Sequence, residues 1–235
     1  MLEQSVVQRV IGAALRTGGD FAEVFAEDRR VSTAMLDDGK VEELTSGRER
    51  GAGIRVVVGD TTGFAHTADL TEAGLRAAAE AAAAAARSGG GGVREVAFER
   101  VVAPSPTEVQ ILPETVAKAV KVERLRQADD AVRAAGAAIK QVMAMYADNR
   151  RRILVANSDG VWTEDDVVRT RFGINAIAVG DTGMQTGTMS VGHTMGFELF
   201  DEYDVDELAQ EAARRALLKL SARPAPSGTM PVVIK

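Results

Sequence analysis

The sequence predicts an α+β protein in which one unit, antiparallel strands and hairpins flanked by helices, occurs twice. Three observations lead there. Short stretches of alternating apolar residues are punctuated by glycine turns such as Asp38-Gly39, Gly59-Asp60, Asp159-Gly160 and Gly180-Asp181, the dipeptides that close hairpins. Segments of helical periodicity flank each strand group. The two halves also share a spacing: Asp38 lies 22 residues before Asp60, and Asp159 lies 22 residues before Asp181. Such dipeptides are common, so the spacing counts because the order of helices repeats with it.

The elements follow in order. Residues 2–17 form a helix with Leu2, Val6, Val10, Ala13 and Ala14 on one face, closed by Gly18-Gly19. Strands are expected at about 21–28, 31–36, 41–45, 53–58 and 63–66. Asp69, with Glu72 three residues on, caps a helix running to Arg87 through an alanine-rich stretch of high helix propensity, of which Ala81 to Ala86 should bury little. Ser88-Gly89-Gly90-Gly91-Gly92 is a flexible connector, and 93–112 is extended with Pro104 and Pro106. Pro113 opens a helix that Gly136 ends. Strands recur at about 137–147, 151–157, 161–164, 167–179 and 184–193, with Arg150-Arg151-Arg152 as a solvated hairpin turn. A longer excursion follows, and then Asp204, with Glu207 three residues on, caps the last helix, whose stripe is Val205, Leu208, Ala209, Ala212, Ala216 and Leu220. Residues 1–88 are thus a first unit, 89–112 a linker with an extended segment, 113–222 a second unit, and 223–235 another linker with the start of an apolar strand. Arg223-Pro224-Ala225-Pro226-Ser227-Gly228 ahead of Val232-Val233-Ile234 suggests the front part of a longer protein.

Composition narrows the function. Apolar residues make up 46% and aromatics only 4%, so alanine and valine must do much of the packing. No run approaches the roughly 20 apolar residues of a membrane span, and Glu3, Gln4, Gln8 and Arg9 rule out a signal peptide at the start. A net charge of −6 argues against a nucleic-acid partner. With no cysteine there is no disulfide scaffold and no thiolate metal site, and a cytoplasmic protein is expected.

Catalytic motifs are scarce. The chain has two histidines, His66 and His193. His66 and Asp69 could share a metal, but zinc wants at least three protein ligands, and a structural hydrogen bond beside the helix cap suits His66 better. His193 lies in Gly192-His193-Thr194-Met195-Gly196, where glycines permit close approach or loop motion; it is a candidate to line a cleft, or an exposed loop residue. Neither a Gly-x-Ser-x-Gly elbow nor a P-loop occurs, and Gly51-Ala52-Gly53 precedes a strand rather than a helix. The carboxylate groups Asp37/Asp38, Glu42/Glu43, Glu164/Asp165/Asp166 and Asp201/Glu202 are expected in polar turns, and none stands out as an acid/base couple.

Four stretches stand out: Gly63-Phe64-Ala65-His66-Thr67-Ala68-Asp69-Leu70-Thr71, Ile153 to Val161, Gly196-Phe197-Glu198-Leu199, and Pro224 to Val233. In this order they resemble blocks of the TldD/PmbA family of metallopeptidases. The third and fourth look closer to the TldD branch. The resemblance implies an N-terminal α/β portion ahead of a C-terminal catalytic domain that carries His-Glu-x-x-x-His. That motif is not in this sequence, so no catalytic or metal residue carries over. What is implied for the intact protein is a zinc-activated water acting on peptides, and pairing with an identical or PmbA-like subunit as a dimer. This portion would then serve substrate access and assembly, bind no zinc and be inactive alone. The alternative is a self-contained, non-catalytic peptide-binding or assembly module.

Overall fold

In the computed structural model the described residues are 1–86, 96–102, 108–181, 183–223 and 225–234. The connector expected at Ser88 to Gly92, and Pro104 and Pro106, lie outside them. The elements are α1 (Gln4–Leu15), β1 (Phe21–Asp37), β2 (Lys40–Val58), β3 (Thr61–Thr67), α2 (Glu72–Ala85), β4 (Glu99–Val101), α3 (Lys118–Arg133), β5 (Ile139–Asn157), β6 (Val161–Gly180), β7 (Gly183–His193), α4 (Leu199–Glu202) and α5 (Val205–Leu220).

One sheet runs through both halves in the order β3-β2-β1-β5-β6, and β7 and β4 both pair with β6. All pairings are antiparallel except that of β4 with β6. The halves meet where β1 pairs with β5, with Arg30 directly opposite Arg150. The sequence α1-β1-β2-β3-α2 is thereby answered by α3-β5-β6-β7-α5 across that seam.

The even-numbered residues of the long strands face the helices, since side chains alternate along a strand. They build two cores. Ala22, Val24, Ala26, Ile54 and Val56 pack under α1 and α2. Ala34, Leu36, Val142, Ala144, Phe172 and Ile174 pack under α3 and α5. The odd-numbered face carries no helix.

The same close contact occurs in each half. A Cβ at Gly63 of β3 would stand 1.9 Å from the Ala82 carbonyl oxygen and 2.5 Å from the Ala86 nitrogen of the α2 turn. At Gly187 of β7 it would stand 2.0 Å from the Ala212 carbonyl oxygen and 2.4 Å from the Ala216 nitrogen of α5. Glycine on the strand and alanine on the helix let backbone touch backbone. Ala82, Ala83 and Ala86 are accordingly buried, against the expectation that this stretch buries little.

The main departures from the sequence expectations have one cause. Eight short strands were expected where four long ones occur: 21–28 with 31–36, 41–45 with 53–58, 137–147 with 151–157, and 161–164 with 167–179. The polar residues that suggested breaks lie between the two cores, where no helix covers the sheet. Backbone groups of β1 and β5 there are paired on both sides, and those of β2 and β6 on one, so the strands continue. Arg150-Arg151-Arg152 is therefore mid-strand, not a turn: Arg150 pairs with Glu114 at 2.6 Å and Asp166 at 2.7 Å. Glu114 also reaches Arg30 at 3.5 Å, so one carboxylate serves both opposed arginines. The carboxylates Asp37, Glu42, Glu43, Glu164, Asp165 and Asp166 likewise lie in strands, and Asp201 and Glu202 in α4, not in turns.

Smaller corrections concern helix ends. The cap of α2 is Thr71, whose hydroxyl accepts from the Gly74 N–H, while Asp69 accepts from the Thr71 N–H. Pro113 opens a single 3-10 turn, and α3 begins at Lys118. Of the expected α1 stripe, Val10 and Ala14 are buried and Leu2, Val6 and Ala13 half-buried, while Val7, Ile11 and Leu15 join the core unexpectedly. Asp204 caps α5 as expected, accepting from the N–H groups of Asp206 and Glu207.

Candidate functional site

The helix-free face of the sheet is the surface on which an extended ligand could lie. Two grooves cross it, one per half. In the first half the groove is lined by Phe25 and Glu27 of β1, Glu49 to Gly53 of β2, and Phe64, His66, Thr67 and Ala68. Phe64 rests over Gly53, where any Cβ would press within 3.0 Å of the ring, yet stays 61% exposed. In the second half a groove of about 510 Å³ has a floor of Val31, Thr33, Ala147 and Asn149, flanked by Arg29, Arg169, Arg171, Gly192 and His193. The two grooves therefore differ in chemistry, one aromatic and the other rich in arginine.

The histidines do not converge. His66 pairs with Gly53 and so lies on the helix-free face. His193 pairs with Thr170 and so lies on the opposite face. The His193 ring stacks on Tyr203, with centroids 5.1 Å apart, and shares a hydrogen bond with the Tyr203 hydroxyl at 2.7 Å. It borders the second groove at the end of β7. Asp69 turns its carboxylate to the Thr71 N–H, away from any role with His66. Among the described residues, no three histidine or carboxylate side chains gather closely enough to hold a metal. These residues do not fit a hydrolytic metal centre.

Two buried polar clusters brace the second groove from the helix side. Lys121 of α3, 2% exposed, donates to Asp148 at 2.6 Å and to the Ser32 hydroxyl at 3.2 Å. Its ammonium lies over the Tyr146 ring, 5.0 Å from the centroid. Burial first, and the Asp148 charge second, push the Tyr146 phenol up from its usual value. The second cluster is Glu198, whose carboxylate accepts from the N–H groups of Gln110, Ile111 and Gly196. Burial raises the Glu198 pKa, but these amides outweigh it and hold the carboxyl below the usual range. Neighbouring Phe197 enters an aromatic cluster with Tyr146 and Phe200. The Gly196-Phe197-Glu198 stretch thus latches the excursion after β7 onto residues 110–111. Sequence reasoning missed both clusters, because Lys121 and Asp148 sit 27 residues apart and only the fold brings them together. Glu198 had a visible signal in its two-residue spacing from Gly196.

The Ile153 to Val161 stretch is also explained by geometry. Asn157 accepts from the N–H groups of Asp159 and Val161 and so forms the turn. Ser158 accepts from the Ala22 N–H and so ties this turn to the first half.

Comparison with known proteins gives these features a context. Residues 22–86 match the first domain of PmbA/TldA metallopeptidases, and residues 111–220 match their central domain. A metalloprotease TldD homolog of Haemophilus influenzae is 29% identical over 92% of this chain and 46% of its own length. A metalloprotease of Methanothermobacter thermautotrophicus is 30% identical over 91% of this chain and 46% of its own. The chain spans about half the length of these curated relatives. Among solved structures, a proposed DNA gyrase modulator of Thermotoga maritima superposes with TM-score 0.78 at 18% identity, covering 96% of this chain and 50% of its own. TldE of Thermococcus kodakarensis superposes with TM-score 0.67 at 14% identity, covering 90% and 47%. Both share the fold. By its two matched domains and these relatives, the chain belongs to the PmbA/TldD metallopeptidase family.

Proposed function

We propose that this chain is the substrate-access and assembly part of a TldD-like zinc metallopeptidase, inactive alone, and that the metal cutting the peptide is held outside its 235 residues. The observation that carries this is the placement of its histidines on opposite faces of one sheet, in a chain whose relatives are named metalloproteases. A hydrolytic zinc site needs three protein ligands and an open position, and His66 and His193 cannot share one. No hydrolytic step falls to this chain's residues. Their part is to hold an extended peptide on the helix-free face, with the two grooves taking side chains and His193 at the edge of the second, and to keep that face rigid through the two cores behind it. Pairing with an identical or PmbA-like subunit is part of the same proposal. The cysteine-free composition supports work in the cytoplasm.

The test is peptide hydrolysis by the purified 235-residue chain and by the gene's complete product. The expected result is no cleavage of an unfolded polypeptide by the chain, and chelator-sensitive cleavage by the complete product with its partner subunit. Cleavage by the chain alone would end the proposal. So would a complete product that, with its partner, neither cleaves nor holds metal; the non-catalytic peptide-binding module would then stand.

A further inference from the structure

The second groove holds positive charge that the fold does not use. Most arginines of the long strands are matched: Arg48 with Asp28, Arg55 with Glu23, Arg150 with Glu114 and Asp166, Arg151 with Glu27. Arg29, Arg169 and Arg171 are not, and neither is Arg50, which stands alone beside the first groove; among the described residues none of these guanidinium groups has a carboxylate within ion-pair distance. Arg29, Arg169 and Arg171 are exposed, and all three border the same groove.

The register shows how they are arranged. Val31 of β1, Asn149 of β5 and Arg169 of β6 form one row across the sheet, and Thr33, Ala147, Arg171 and Gly192 form the next. Arg29 stands two residues before Val31 on the same face, opposite Glu49 on one side and Arg151 on the other. The floor is therefore small and neutral, with unmatched arginines rising on two sides and room between them. Side chains two apart on a strand are about 6.6 Å apart, so Arg169 and Arg171 can both reach one anion or two neighbouring ones. In a chain of net charge −6, mutually repelling guanidinium groups around an open floor are stable company for an anion. The planar guanidinium fork matches a carboxylate with two parallel hydrogen bonds. The wider cavity between α1, α2 and residues 96–97 offers nothing similar. Its Arg9 and Arg76 already pair with Glu72 and Glu80.

We infer that this groove is a carboxylate-recognition site that selects acidic segments of an extended peptide, through Arg29, Arg169 and Arg171. The inference rests on the peptide-handling role proposed above. It adds a substrate class: peptides bearing glutamate or aspartate side chains, or a free C-terminal carboxylate, where they cross β1, β5 and β6.

The experiment is fluorescence anisotropy with the 235-residue chain and two labelled, C-terminally amidated peptides. They are identical except for three central residues, glutamate in one and glutamine in the other. The glutamate peptide should bind about tenfold more tightly, as two exposed charge-assisted contacts allow. That preference should fall below about twofold in R169Q/R171Q, survive in part in R169K/R171K, and shrink with added salt. Circular dichroism checks that the variants stay folded, which their exposure favours. Equal binding of the two peptides by the native chain overturns the site and leaves the peptide-handling role intact. A preference that persists unchanged in R169Q/R171Q overturns it too, as does tighter binding of a single-stranded oligonucleotide that those substitutions abolish. A glutamate preference in a chain whose complete product proves non-catalytic would uphold the groove while ending the peptidase role.

Discussion

Replacing Gly187 with alanine should strip much of the second core's stability, and replacing Gly63 should do the same to the first. In each case the new methyl would stand about 2 Å from a helix carbonyl oxygen, 1.9 Å for Gly63 and 2.0 Å for Gly187. Real Cβ atoms essentially never come within 3.0 Å of another heavy atom, so the helix must lift by about 1 Å along its contact line. The obstacle is backbone, and no rotamer change relieves it. Overpacking a well-filled core costs about 1–3 kcal/mol, and a rigid obstacle places both substitutions at about 3 kcal/mol or above. For a chain of this size each kcal/mol lowers the melting temperature by about 2–4 °C, which gives a fall of about 6–12 °C. Gly173→Ala is the control, because its methyl would meet the Ser190 Cβ at an ordinary 3.7 Å; it should change stability by less than about 1 kcal/mol. The assay is thermal and urea unfolding followed by circular dichroism. The two losses should add within about 0.5 kcal/mol, since the glycines back onto separate cores. If either G63A or G187A melts within about 2 °C of the native protein, the paired close contact is not what joins helix to sheet.

Three further outcomes are expected. Lys121→Met leaves Asp148 buried without its cation and should cost about 3–5 kcal/mol in urea unfolding, part of which Asp148→Asn in the same chain should restore. Glu198→Gln should cost about 1.5–3 kcal/mol at neutral pH, because three amides lose a charged acceptor. The sign with pH follows from the lowered Glu198 pKa: its contribution is complete above the ordinary glutamate value of about 4.3 and is lost as pH falls through the lower folded value. Urea midpoints taken from pH 7 down to pH 3 should therefore decline less steeply in E198Q than in the native chain. Finally, H66A/H193A in the gene's complete product should leave its zinc content unchanged, measured by plasma mass spectrometry.

Sequence patterning made the α+β class, the repeat and the α5 cap legible because each is local: a turn dipeptide, a periodicity, a side chain two or three residues from the amide it caps. The lengths of the strands were not legible. Asp28 to Arg30 and Arg150 to Arg152 interrupt the apolar alternation, and polarity at a turn looks the same in sequence as polarity between two cores. Only the seam between β1 and β5 distinguishes them. Thr71 hid behind Asp69 for a similar reason, since both are good capping residues and the chain decides between them by where the turn begins. The carboxylate latch at Glu198 and the buried Lys121 depend on contacts 87 and 27 residues away in sequence. The arginine groove is a difference between residues that find partners and residues that do not, which no spacing in the sequence records.

The most direct measurement is a zinc titration of the purified 235-residue chain, with bound metal counted by plasma mass spectrometry after dialysis. Two histidines on opposite faces of a sheet should retain no stoichiometric zinc. One tightly held zinc per chain would mean that this chain builds the metal centre itself, and the division of labour proposed for it would be wrong.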